Sequence, residues 1–289
     1  MIIGIAFALL TSVSWAVANV FIQRSGHIMG ASRALLWALV VGLLASAVVA
    51  LGLDNPTVAF TSRHAWMLGL AGLTGLAGYF GMFWSFEKAD LTVAVPVVSS
   101  WSLVASGVSV LALGERPTLS DYLGAAMVCA GVIVVAVASS RQANVSPARR
   151  QRGLLAVLAA AAGSLGFGVM IPLFGQVAPA LGPFASSAAI YVICVIIGVP
   201  MARLLGISLS RPPRGAWNLV LIAGLAETVG FVSIALGQRH APMTVVAPVS
   251  SLAATLTVLY AWVILRQRQT PATAVGATLV CAGVVVLAL

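Results

Sequence analysis

The sequence predicts an all-α integral membrane protein of ten transmembrane helices, arranged as two inverted five-helix repeats. Three observations carry this. The 289 residues are 61% hydrophobic and only 7% charged, where a soluble domain carries roughly 25% charged residues, so there is too little charge to coat the chain for water. Ten apolar runs are each long enough to cross a bilayer, which takes about 20 helical residues. Residues 1–137 can be laid without a gap on residues 153–289, at a constant offset of 152.

The runs are roughly 2–22, 34–53, 65–86, 91–113 and 121–139, then 153–174, 184–205, 216–236, 242–265 and 271–289. Backbone groups in lipid must bond internally, and barrel strands would be shorter and alternate in polarity, so the runs are helices. The first begins MetIleIleGlyIle, without a basic n-region or a convincing cleavage site, and reads as a span rather than a removable signal. Ser12, Trp15 and Asn19 share one face of it at helical spacing. Arg33 opens the second run. The third carries Gly72, Gly75, Gly78 and Gly81 at every third position, which permits close helix approach. The fourth holds ValAlaValProValValSer at 93–99, matched in the ninth by ValValAlaProValSerSer at 245–251. The fifth and tenth share GlyAlaAlaMetValCysAlaGlyVal at 124–132 and GlyAlaThrLeuValCysAlaGlyVal at 276–284, and their spaced glycines mark them as packing helices. Cys129, Cys194 and Cys281 all lie inside apolar runs, as small buried hydrophobes rather than a disulfide framework. The domain reading is a first unit over 1–139, a basic connector over 140–152 and a second unit over 153–289.

Five spans per unit is an odd number, so the second unit enters the membrane in the opposite sense. The charges agree. Arg24, Arg33, Lys88, Arg141, Arg149, Arg150, Arg152, Arg203, Arg211, Arg214, Arg266 and Arg268 fall on one side, 12 in all, against 3 on the other, Arg63, Arg116 and Arg239. Basic residues favour the cytoplasmic side, which puts both termini outside. The net charge of +9 is therefore a topology signal and not a nucleic-acid footprint.

These features resemble the drug/metabolite transporter superfamily, in its EamA-type branch. The residues that carry the resemblance are SerValSerTrpAla at 12–16, Arg33, Pro96, and LeuGlyGluArgProThr at 113–118 followed by the 124–132 segment, in that order and doubled. The resemblance implies a ten-helix carrier without a cofactor, in the cell (inner) membrane, moving small metabolites or drugs outward; amino-acid exporters are prominent members. It also implies cytoplasmic termini, the opposite of the charge count. Glu115 of the motif becomes Gln267 in the second unit.

Candidate site residues follow from paired interruptions and costly polar groups. Pro96 and Pro248 occupy equivalent positions and each removes a helical hydrogen bond. Paired interruptions mark the midplane site and gating helices of inverted-repeat carriers; the plainer alternative is a bend in a packed helix. Ser99, Ser100, Ser250 and Ser251 lie within a turn of these prolines, available to a polar substrate or to their own helix carbonyls. Glu227 is the one acidic residue in the middle of a span. A carboxylate there costs about 2.5–3.5 kcal/mol on insertion scales and normally faces a cavity or a partner, which makes Glu227 a candidate proton carrier or amine ligand. Trp101, Tyr79 and Tyr260 complete the cavity candidates, while Trp66, Trp217 and Trp262 read as interfacial anchors. Glu87, Lys88 and Asp90, opposite Arg239 and His240 in the symmetry-related connector, read as a solvated turn or as a gate ion pair. The two units differ at Trp15 and Phe167, Asn19 and Ile171, Trp101 and Ala253, and Glu227 and Gly75; these mismatches point to the substrate.

An enzyme is excluded by inventory: His27, His64 and His240 sit at span ends, and no HExxH, phosphate loop or CxxC is present. No metal site is expected. The expected partners are a small-molecule substrate, the lipid bilayer and, as a candidate coupling ion, protons. The function expected is export of small amphipathic metabolites, amino acids foremost, by alternating access; a multidrug efflux carrier and a non-transporting membrane scaffold are the alternatives.

Overall fold

The computed structural model describes residues 1–88, 97–140, 147–257 and 271–288. Among the described residues, helices form in the predicted runs. They are α1 (Ile2–Met29), α2 (Ala31–Leu53), α3 (Ser62–Lys88), α4 (Trp101–Leu111), α5 (Leu119–Ser140), α6 (Pro147–Leu181), α7 (Pro183–Leu204), α8 (Trp217–Gln238), α9 (Met243–Ser250) and α10 (Pro271–Ala288). No strand is present among the described residues. Six helices (α1, α2, α3, α6, α7 and α8) are long and apolar enough to cross a membrane. Shorter apolar helical stretches run Val97–Leu111 and Met243–Thr257. Large apolar side chains such as Leu44, Val48, Leu73, Leu103, Leu158 and Ile196 point outward, each at least half exposed. A surface of that kind suits lipid and not water.

The dominant packing pairs join the two halves. Helix α1 lies on α8 and α3 on α6; α2 lies on α7 and α5 on α10. Each pair either maps onto another or onto itself when residues are shifted by 152. The correspondence reaches single residues. The ring of Trp15 occupies the space left by Gly230, and that of Phe167 the space left by Gly78. Val41 fills the notch at Gly224, and Ile193 the notch at Gly72. Along the α3–α6 seam the backbones themselves touch: a Cβ at Gly81 would meet the Ala159 carbonyl and the Gly163 nitrogen, and one at Gly166 would meet the Thr74 carbonyl.

The connectors sort into two sets. Asp54, after α2, accepts from the backbone N–H groups of Phe184 (3.1 Å) and Ala185 (2.5 Å) at the start of α7. Glu115, after α4, accepts from Met243 N–H (2.8 Å) and Thr244 N–H (3.2 Å) at the start of α9. Both carboxylates face the positive end of a helix and satisfy its unbonded donors. Arg239, after α8, donates to the Ala178 carbonyl near the end of α6 (3.2 Å), and a Cβ at Gly4 would collide with Ala241. The amino terminus and the connectors after α2, α4, α6 and α8 thus meet at one end. At the other end Arg33, opening α2, donates to the carbonyls of Ser210 (2.9 Å) and Arg211 after α7. Gly30 and Gly182 begin α2 and α7 at φ of 86° and 92°. They are related by the offset of 152, and this conformation strains any side chain.

Candidate functional site

Helices α4 and α9 are both interrupted. The Ser100 N–H bonds back to the Val97 carbonyl (3.2 Å), three residues earlier, and the Leu252 N–H bonds to the Val249 carbonyl (3.2 Å) in the same way. Positions 97 and 249, and 100 and 252, are equivalent at the offset of 152. The tightening falls at the turn after the proline. Pro248 itself sits inside helical backbone, fully buried; Pro96 lies outside the described residues. Serines from the other half brace both breaks. Ser12 Oγ, on α1, lies 2.6 Å from the Val249 carbonyl. Ser164 Oγ, its mate on α6, lies 2.8 Å from Ser100 Oγ, which donates to the Val97 carbonyl at 2.7 Å.

A central cavity, open at its mouth, lies between the halves beside these breaks. Its wall is drawn from six helices. Trp15 and Asn19 come from α1, Met82 from α3, Val98, Ser99 and Trp101 from the α4 segment, Phe167 and Ile171 from α6, Glu227 and Phe231 from α8, and Ala253 from the α9 segment. Among the described residues α2 and α7 give no side chain to this wall; they pack behind α8 and α3.

The wall is aromatic with few polar groups. The Trp15 ring meets Trp101 edge to face at 5.6 Å and 82°, and Phe231 at 5.6 Å and 71°. Phe167 meets Tyr79 at 5.0 Å and 89°. Glu227 supplies the only ionisable side chain of the wall among the described residues. The Tyr79 hydroxyl, almost completely buried, donates to Glu227 Oε1 at 2.9 Å. Asn19 makes no hydrogen bond with another described residue. The Trp15 indole N–H is buried without an acceptor, turned toward Gly230.

Of the residues singled out by sequence, Trp15, Asn19, Ser99, Trp101 and Glu227 stand in the wall. Tyr79 stands behind it, on Glu227. Ser12 is used as a brace, and Ser251 donates to the Pro248 carbonyl at 2.6 Å, as its local alternative anticipated. Ser250 is buried away from the wall with no partner for its hydroxyl. Tyr260 lies outside the described residues. So do the side chains of Glu87, Lys88 and Asp90, and with them the supposed gate ion pair. Arg239 instead holds the Ala178 carbonyl, and His240 stacks on Phe7 at 6.2 Å. Sequence reasoning did not mark Met82, Val98 or Phe231. Phe231 was findable as the position equivalent to Tyr79; the other two are apolar and carry no signal. Pro172 and Pro179 inside α6 were also passed over.

Among the described residues no group of His, Cys, Asp and Glu is placed to hold a metal ion. An all-helical apolar molecule with a cavity at the seam of two related halves is a multi-pass membrane transporter in build. The profile of the EamA-like transporter family matches residues 2–137 and again 154–289, two stretches related by the same offset of 152, and the chain belongs to that family. It is a membrane transporter of the drug/metabolite type. No curated protein sequence matches it. A solved structure described only as "Crystal structure of protein" superposes with a TM-score of 0.79 at 19% identity, covering 99% of this chain and 98% of the other. At that identity the likeness speaks for the fold alone.

Proposed function

We propose that the chain is a secondary transporter of the cell (inner) membrane that exports small amphipathic metabolites, amino acids foremost, by alternating access. Its frame is ten spans in two inverted five-helix units, 1–139 and 153–289, joined by the basic connector 140–152. The observation that carries the reading is the cavity wall itself: Trp15 with Phe167, Asn19 with Ile171, and Trp101 with Ala253 are equivalent positions facing one space. A cavity shared by two inverted units has two conformations available, related by the pseudo-two-fold axis and open to opposite sides. The braced breaks in α4 and α9 are the natural points of bending. One end is held by Glu115, Asp54 and Arg239. A non-transporting scaffold would leave Asn19 and Glu227 satisfied in a dry interface, yet Asn19 faces open space without a partner among the described residues.

The test is flux in proteoliposomes, with a panel of radiolabelled amino acids at imposed pH gradients. The expected result is saturable uptake that accelerates in counterflow. A panel that shows neither, in vesicles holding correctly folded protein, defeats the carrier reading. Protons are the proposed coupling ion and Glu227 their carrier. Glu227→Gln should retain counterflow and lose the response to the pH gradient; full pH-driven transport by that variant removes the proton role.

A further inference from the structure

We infer that the cavity is built to seat a cationic ammonium group, with Glu227 as its counter-charge and the surrounding rings as its cage; the inference rests on the carrier reading above. The first support is the charge inventory. Glu227 is the one ionisable group in the wall, and no Lys, Arg or His stands there among the described residues. A substrate anion would find no opposite charge and would meet a like one. A neutral substrate could donate a hydrogen bond to the carboxylate but would leave its charge unpaired.

The second support is the hydrogen bonding. A carboxylate accepts at about four lone-pair positions. Only Tyr79 reaches Glu227 among the described residues, at Oε1, so Oε2 keeps its full capacity. Tyr79 donates, which fixes the direction of the carboxylate and leaves its second oxygen for a ligand.

The third support is independent of Glu227. Trp15, Trp101, Phe167 and Phe231 all border the same space. The faces of aromatic rings attract a cation within about 6 Å, and cages of several rings are how proteins hold quaternary ammonium groups. Asn19 and Ser99 remain for the other end of the ligand. Both are neutral, so they accept a hydroxyl, an amide or a carboxylate without adding charge. The arrangement is also polarised: Glu227 answers to Gly75, and Asn19 to Ile171, in the other half. The charge was placed on one side of the seam only, so the ammonium end of the ligand points at α8.

The experiment uses full-length protein in lipid nanodiscs and isothermal titration with four probes of one shape: phenethylamine, phenethyltrimethylammonium, 2-phenylethanol and phenylacetate. The two cations should bind about 10- to 100-fold more tightly than the alcohol and the acid. Glu227→Gln, which keeps an acceptor for Tyr79, should erase that preference. Trp101→Leu should weaken the quaternary cation most, about tenfold, and supplies the reading if Glu227→Gln does not fold. Cations that bind no better than the alcohol or the acid, absence of binding by all four, or a preference untouched in both variants overturns the inference. Counterflow separates the two readings. Cations that bind but never cross defeat the carrier and spare the site; solutes that cross regardless of charge defeat the site and spare the carrier.

Discussion

Gly230 and Gly78 show how a single missing side chain sets the cavity. Each lets a ring from the opposite half, Trp15 or Phe167, lie against helix backbone and form wall. A methyl at Gly230 would be driven into the indole at Nε1 and Cδ1, and Trp15 would have to tilt into the cavity or back toward α1. We therefore expect Gly230→Ala to cost about 1–3 kcal/mol, the usual cost of overpacking, and to lower substrate affinity in binding assays. Trp15→Phe in that background should recover part of the loss, because the smaller ring clears the methyl and matches Phe167 opposite. Equal losses in the single and double variants would break the link between the glycine and the ring. Tyr79→Phe is a milder change. It removes the one donor to Glu227 among the described residues, and a bond to a charged group is worth about 1.5–3 kcal/mol. The reading expects weaker binding of cationic probes with the protein's melting temperature little changed.

The helices were legible because their signal is composition: a run of apolar residues must be helix in lipid. Their ends were less so. Helix α1 was expected over about 2–22 and runs Ile2–Met29; α6 was expected over about 153–174 and runs Pro147–Leu181. Hydropathy reports where lipid stops, whereas a helix continues as long as contacts hold it. At the far end of α6 those contacts are long-range, as when Thr57 N–H bonds to the Pro179 carbonyl at 2.8 Å. The broken helices follow the same logic. The prolines announced them, but the serines of the other half that brace each break, Ser12 and Ser164, are revealed by no local pattern. In the site, Glu227, Asn19 and the tryptophans stood out as expensive or bulky groups in lipid. Met82 and Val98 did not, since an apolar wall residue has the same composition as a lipid-facing one. Glu115 supports a prediction at this scale. Its carboxylate ties the turn after α4 to the first N–H groups of α9. The equivalent position holds neutral Gln267, so the charged tie is found in one unit only. Glu115→Ala should free the start of α9. With a cysteine at Ala241, buried beside Gly4, labelling by a membrane-impermeant maleimide should speed up several-fold in that variant. An unchanged rate would mean that the tie does not restrain this end.

For the whole molecule, duplication has a physical consequence that goes beyond symmetry. Among the described residues the main partner of every helix in the first half lies in the second: α1 on α8, α2 on α7, α3 and α4 on α6, and α5 on α10, where a side chain at Gly283 would strike the Gly124 carbonyl. The bilayer gives no hydrophobic reason for these helices to associate; close packing and interhelical hydrogen bonds must do so. Those contacts are concentrated on the seam, including Thr11 Oγ1 to the Gly230 carbonyl at 3.2 Å and Ser12 Oγ to the Val249 carbonyl at 2.6 Å. Both buried apolar clusters of the described residues draw on the two halves together. The sense of insertion is a separate matter. The 12 to 3 distribution of basic residues leads us to expect a cysteine near the amino terminus to react from outside intact cells and one at Arg149 not to; the reverse would favour the cytoplasmic termini implied by the family. The division of the chain is testable by splitting it in the basic connector. Expressed alone, 1–139 should insert but remain protease-sensitive and aggregate on extraction. Expressed with 153–289, it should be recovered as a monodisperse complex with the binding of the intact chain. If one half alone proves stable and monomeric, the seam is an ordinary interface between two finished domains, and the cavity's dependence on both units falls with it.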